Sequence, residues 1–220
     1  MSFRAYLESR YVAACNLQRG IERDPQMVTM LREGRHDAAL VTSWMRDYGL
    51  FQGITTRNRA AIVARFLRFA REHKVTARNP NDEEIAALYA ALFKALHKEV
   101  ARSWMSATSK LLWCLYPNTI VIYDNFVHRT LVVMQCIDND LSAFPRVGEA
   151  PSIEGEADIV AATAYYMNYQ AMIRRLQTQH GQLLRDLRKR YNEPYPYDVR
   201  IIDKLLWMIG NPRENYAAQA

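Results

Sequence analysis

The run Ser106-Ala-Thr-Ser-Lys-Leu-Leu-Trp-Cys-Leu-Tyr-Pro-Asn-Thr-Ile-Val-Ile-Tyr-Asp124 reads as helix, break, extended connector and new helix. Met105 to about Tyr116 forms the first helix, and Pro117-Asn118 ends it, because proline lacks an N–H and constrains the residue before it. Thr119 to Tyr123 is the one stretch of strong β propensity in the chain. A lone short run has no partner strand, so an extended connector is expected. Asp124 then supplies an N-cap for a helix to about Ile137. A chain with this pattern and no second strand is all-α, a compact multi-helix fold.

The flanking sequence agrees. Eight glycines and eight prolines among 220 residues are few, as in helices joined by short turns. Met1 to Gln18 reads as a helix with Tyr6, Leu7, Tyr11 and Cys15 inward, followed by Gly20. Asp24-Pro25 reads as an N-cap with proline at the first helical position, opening a helix that stops at Gly34. His36 to Tyr48 follows, ended by Gly49. Thr55 to Lys74 places Ile62, Val63, Phe66, Leu67, Phe69 and Ala70 on one arc, with arginines opposite. Asn81 caps a helix with Asp82, Glu83 and Glu84 in its first turn, where the macrodipole favours anions. Asp138 to Glu156 is the longest loop. Ala157 to Tyr191 reads as a pair of helices broken at Gly181. Tyr197 to Ile209 is the last helix, stopped by Gly210-Asn211-Pro212. The chain is either one helical unit or two lobes. The lobes would be about 20–135, holding segment 100–137, and 1–19 with 138–212.

Composition narrows the function. Half the residues are apolar and 24% are charged, an ordinary globular balance. Cys15, Cys114 and Cys136 are too few and too scattered for a zinc ribbon, a cysteine-ligated cluster or a disulfide framework. They suit a reducing compartment. No apolar run reaches the ~20 residues of a membrane span. MSFRAYLESR has no apolar signal core, so a soluble cytoplasmic protein is expected. The net charge of +6 permits a polyanionic partner. No P-loop, dinucleotide fingerprint, HExxH or nucleophile elbow occurs, and neither metal nor cofactor is expected.

The quoted segment resembles the core of the helix-hairpin-helix DNA glycosylase superfamily. There, the second hairpin helix leads through a short apolar segment to a catalytic aspartate that opens the next helix. Monofunctional adenine glycosylases carry a serine eighteen residues before that aspartate, the spacing of Ser106 and Asp124. Bifunctional members carry a Schiff-base lysine at or beside that position, where this chain has Met105 and Ser106. The resemblance therefore implies no lyase activity, with Lys110 one helical turn further on. The "SKLL…YP…IYD" segment and the final "IDKLLWMIG" are also similar to bacterial members of this group. The hairpin equivalent, Val100 to Met105, has no glycine, so its backbone approaches a phosphate less closely. The iron–sulfur loop of some members is absent.

The resemblance implies a monofunctional glycosylase that removes a modified or damaged base, with DNA preferred to RNA as partner. Asp124 would stabilise the oxocarbenium-like transition state or activate water, since a fixed carboxylate opposes the charge developing on the sugar. Asp124 equally suits plain helix capping. His128, one turn later, is a second catalytic candidate, and a helical histidine is more often a surface or partnered residue. Trp104 and Tyr123 suit stacking on an extruded base, or the core. Ser106, Asn125 and Lys110 are candidate substrate contacts, although a small residue at a helix crossing also explains Ser106. Arg57, Arg65, Arg68, Arg71 and Arg102 are candidate phosphate contacts. Arg57 to Arg78, with Arg59 and Lys74, and Arg174 to Arg190 form two basic stretches. Each reads otherwise as a solvated face or a surface for a protein partner. Trp113 and Trp207 belong to the core. Asp203, with Arg200 and Lys204, reads as a solvated or salt-bridged face. The alternative to an enzyme is a nucleic-acid-binding or assembly protein, with a protein partner or a second copy, that kept the fold without the reaction.

Overall fold

The structure is a computed structural model that describes residues 2–17, 23–73 and 78–211. Gly20, Lys74, Pro212 and the tail after it lie outside these residues. In chain order the helices are α1 (Phe3–Cys15), α2 (Arg23–Arg32), α3 (Ala38–Asp47), α4 (Thr56–Glu72) and α5 (Asp82–Glu99). They continue with α6 (Met105–Leu115), α7 (Asn125–Ile137), the single turn α8 (Asn139–Ser142), α9 (Asp158–Tyr191) and α10 (Asp198–Gly210). The described residues contain no strand. The all-α class holds, and no described helix is long and apolar enough to cross a membrane.

Two units divide the chain. One holds 1–17, 121–149 and 165–220, and the other holds 18–120 and 150–164. The division falls before α7, so the two halves of the quoted segment belong to different units.

In the second unit, local signals set the helix ends. Asn81 and Glu84 form a reciprocal capping box at α5. Asp37 accepts from the amides of Ala39 and Leu40 to cap α3. Gly34 and Gly49 adopt positive φ (68° and 67°) where α2 and α3 end, a conformation that glycine reaches at little cost. Asp24 departs from the reading above. It lies inside α2, fully buried, and accepts hydrogen bonds from Trp44 Nε1 (2.9 Å) and Tyr48 Oη (2.8 Å). It ties α2 to α3 and does not cap. The core of this unit gathers Phe66, Tyr89, Leu92, Phe93 and Trp113.

In the first unit, α7 and α10 cross closely, and α1 packs on α10. The Thr130 hydroxyl donates to the Leu206 carbonyl across that crossing (2.8 Å). Phe126 meets Trp207 edge to face at 5.9 Å. Trp207 stays half-buried, whereas Trp113 is enclosed. Two readings change here. The region from Ala157 to Tyr191 is one continuous helix, unbroken at Gly181. Glycine inside a helix costs only about 1 kcal/mol, and Leu176, Leu184 and Leu187 are fully buried on either side of it. Arg200, Asp203 and Lys204 are buried, not solvated. Arg200 pairs with Asp203, and the Lys204 ammonium lies 4.3 Å from the Tyr195 ring centre. The salt-bridged half of that reading stands.

The three thiols sit in distinct surroundings. Cys15 is buried beside Tyr11, and burial pushes its thiol up to about 12, with the Glu193 carboxylate adding to the rise. Cys114 is buried in α6, and Cys136 is exposed on α7. Thiolate is the reactive form and access controls its attack. A maleimide is therefore expected to label Cys136 quickly in the native protein, and all three cysteines only after denaturation. Fast labelling of Cys15 or Cys114, located by peptide mass spectrometry, would contradict this placement.

Candidate functional site

Asp124 ends the connector and caps α7. Its side chain accepts from the Phe126 amide at 3.0 Å, and its carbonyl accepts from the His128 amide at 2.9 Å. The residue is half-buried. The connector reaches this point with its backbone polar groups engaged by α9. Val121 N–H donates to Gln170 Oε1 (3.2 Å), Tyr166 Oη donates to the Val121 carbonyl (2.8 Å), and Tyr169 Oη donates to the Ile122 carbonyl (3.0 Å). These are the partners that a strand would have found in a sheet, and buried peptide groups require them. Asp124 is thus carried on a fixed strip of backbone.

Phenols surround that strip. Tyr123 is buried, meets Tyr165 at 5.9 Å and Tyr169 at 5.1 Å edge to face, and donates to Asn125 Oδ1 (3.2 Å). Burial raises the Tyr123 phenol, and the Asp124 carboxylate adds to this, against a hydrogen bond from Tyr165. Tyr165 and Tyr169 are also raised, burial again being the main cause. All three therefore remain protonated at neutral pH, and Tyr123 and Tyr169 act as donors.

His128 lies edge-on to Tyr165 at 6.0 Å. Its Nε2 sits 3.0 Å from the Gly148 carbonyl, which can only accept, so Nε2 carries the hydrogen and Nδ1 the lone pair in the neutral ring. The first unit thus brings together Asp124, Tyr123, Asn125 and His128. The aromatic and amide residues of α9 that support them carry no local motif. Their trace in the sequence is Tyr166, Tyr169 and Gln170 at helical spacing on an inward face, polar tips that must find partners.

The second unit holds the other candidates. Trp104 is buried, donates from Nε1 to the Val100 carbonyl (2.8 Å) and carries the Arg102 guanidinium 5.1 Å above its ring. Arg102 also donates to the Gln52 carbonyl (2.8 Å). Ser106 is half-buried in the first turn of α6, and the buried Lys110 donates to its hydroxyl. The spacing of four residues on one helix face makes this pair. The amine therefore reaches the serine that the sequence placed a turn away.

The arginines of α4 divide. Arg65 donates to Glu99 (2.8 Å from Nε), and Arg59 donates to the Ile54 carbonyl (2.9 Å). Arg57, Arg68 and Arg71 are exposed and face no carboxylate among the described residues. Arg71 lies close enough to His36 to help burial lower that imidazole. In the other basic stretch, Arg188 pairs with Asp198 and Arg185 donates to Gln182 (2.7 Å). No group of three or more metal-ligating side chains occurs among the described residues.

No known family, curated protein or solved structure matches the chain.

Proposed function

We propose that this protein hydrolyses an N-glycosidic bond in nucleic acid by a monofunctional mechanism, with Asp124 as the central carboxylate. One observation carries the reading. Asp124 is held by its cap bond on a pinned connector, half-exposed, among phenols that keep their protons. As the base departs, the sugar gains positive charge. A fixed carboxylate stabilises that charge without reorganising, or accepts a proton from attacking water. Asn125, exposed at the first position of α7, and His128, one helical turn after Asp124, are the candidate polar contacts in the same stretch.

The test is incubation with duplex and single-stranded DNA carrying a panel of modified bases, with released base read by mass spectrometry. Release of one base class is expected, without strand cleavage. Borohydride is expected to trap no covalent adduct, and the position of Lys110 against Ser106 makes this a demanding test. A trapped adduct would replace the hydrolytic mechanism with a Schiff-base one. No release from any DNA, RNA or nucleoside substrate would remove the proposal.

Arg57, Arg68 and Arg71 favour a second reading, nucleic-acid binding without the reaction. Cations that face no carboxylate are available to phosphates. That protein would bind DNA with a steep loss of affinity in salt and release no base.

A further inference from the structure

We propose that a cleft in the first unit binds an amphipathic monocarboxylate, a medium-chain fatty acid in chemical class. This stands independently of the glycosylase reading. The cleft has a volume of about 440 Å3 and lies between α7, the start of α1 and the end of α10. Small-molecule sites fall in this size range, with mostly apolar walls and few polar groups.

Its long wall is one stripe of α7. Arg129, Val133 and Ile137 follow at intervals of four, so they stand one above another on the same face. Eight residues of helix span about 12 Å, the length of an extended alkyl chain of about ten carbons. Val133 is 61% exposed and Ile137 79% exposed, although Val127 and Leu131 of the same helix are fully buried. Two large aliphatic side chains thus stand in water beside a concave surface. Phe3 and Tyr6 of α1 and Met134 of α7 also line the cleft. This is a trough for an aliphatic body.

The polar end selects the head group. Arg129 is exposed, its guanidinium lies 5.7 Å from the Phe126 ring centre, and it faces no carboxylate among the described residues. The neighbouring Thr130 hydroxyl is committed to the Leu206 and Phe126 carbonyls. A guanidinium fork with no acid opposite matches a planar carboxylate. The C-terminus of α10, at Ile209 and Gly210, lines the same end and contributes roughly half a negative charge. That opposes an anion but does not cancel a whole cation.

The experiment is calorimetric titration of the full chain with octanoate, decanoate, dodecanoate and decanol. Affinity is expected to rise about fourfold per added methylene from octanoate to decanoate. Decanol is expected to bind at least tenfold more weakly than decanoate. Arg129→Gln should erase that difference, and Val133→Glu should abolish binding of both. Both variants alter exposed side chains, so unchanged circular dichroism is expected of them. Three results would each overturn the proposal: no binding by any carboxylate, equal binding of decanol and decanoate, or decanoate affinity indifferent to Arg129→Gln. Concentration-dependent dimerisation that Val133→Glu removes, without carboxylate binding, would assign the stripe to a second copy instead.

Discussion

Replacing Gly210 by alanine is expected to destabilise the first unit by about 3 kcal/mol, beyond the usual range for a surface helix change. Alanine is the better helix former by about 1 kcal/mol, so local propensity predicts the opposite sign. Packing decides. A methyl group on Gly210 would overlap the Phe126 carbonyl oxygen and lie 2.7 Å from both the Phe126 carbonyl carbon and Thr130 Oγ1. The obstacle is the backbone of α7, which cannot rotate aside as a side chain can. Relief requires α7 and α10 to separate, which strains the bond between Thr130 and the Leu206 carbonyl and the contact of Phe126 with Trp207. For a chain of this size the midpoint of thermal unfolding should fall by roughly 6–12 °C. Gly181→Ala is the matched control. It lies inside α9, where a new methyl meets only the end of the Arg185 side chain at 3.5 Å. That variant should gain up to about 1 kcal/mol. Opposite shifts from the same substitution, read by calorimetry, would locate the tight crossing at Gly210. A neutral Gly210→Ala would mean that the helices are not held this close.

Features that depend on near neighbours are legible in the sequence. The capping box of Asn81 and Glu84 is a signal four residues long, and it forms. The glycine stops at 34 and 49 follow from positive φ alone. Thr119 to Tyr123 has strand propensity but no partner strand among the described residues; Thr119 closes the turn after α6, its amide donating to the Tyr116 carbonyl, and Ile120 to Tyr123 form a connector without regular structure. Asp24 shows why the rest was not legible. An aspartate before proline looks the same whether it caps a helix or sits within its first turn. The partners that decide, Trp44 and Tyr48, are 20 and 24 residues away. Likewise Arg200, Asp203 and Lys204 look solvated by composition. They are buried because α10 is covered on nearly all sides, its charged residues pairing with each other and with the Tyr195 ring.

The candidate site divides along the same line. The placement of Asp124 at a helix start follows from cap chemistry, and the structure puts it there. The supports that hold it do not follow, because Tyr166 and Tyr169 lie 45 and 47 residues from the carbonyls they bind. Local pattern could mark the carboxylate. Only the folded chain shows that the connector before it is fixed by hydroxyl and amide side chains, the property that a preorganised electrostatic site needs.

Asp124→Asn is expected to lower base release on the order of 10^3-fold while leaving stability nearly unchanged. The two effects separate because the proposed mechanism gives Asp124 a second duty besides capping, and asparagine can take over only the cap. Capping requires an oxygen that accepts from the Phe126 amide, now 3.0 Å away, and asparagine supplies one. Asparagine and aspartate are nearly equal as N-caps, so the thermal midpoint should hold within about 2 °C. Stabilising a sugar cation requires net negative charge, which the amide lacks. The neighbouring phenols cannot compensate, because burial holds Tyr123, Tyr165 and Tyr169 protonated. Asp124→Ala should lose both duties, costing about 1 kcal/mol of stability with the activity. DNA affinity, measured without turnover, should be the same for Asp124→Asn as for the wild type, so the loss belongs to kcat and not to binding. An Asp124→Asn protein that releases base at the wild-type rate would leave Asp124 a cap and nothing more. Loss of stability in step with activity would assign the defect to folding. Retained stability with abolished release is the one outcome that a purely structural aspartate cannot produce.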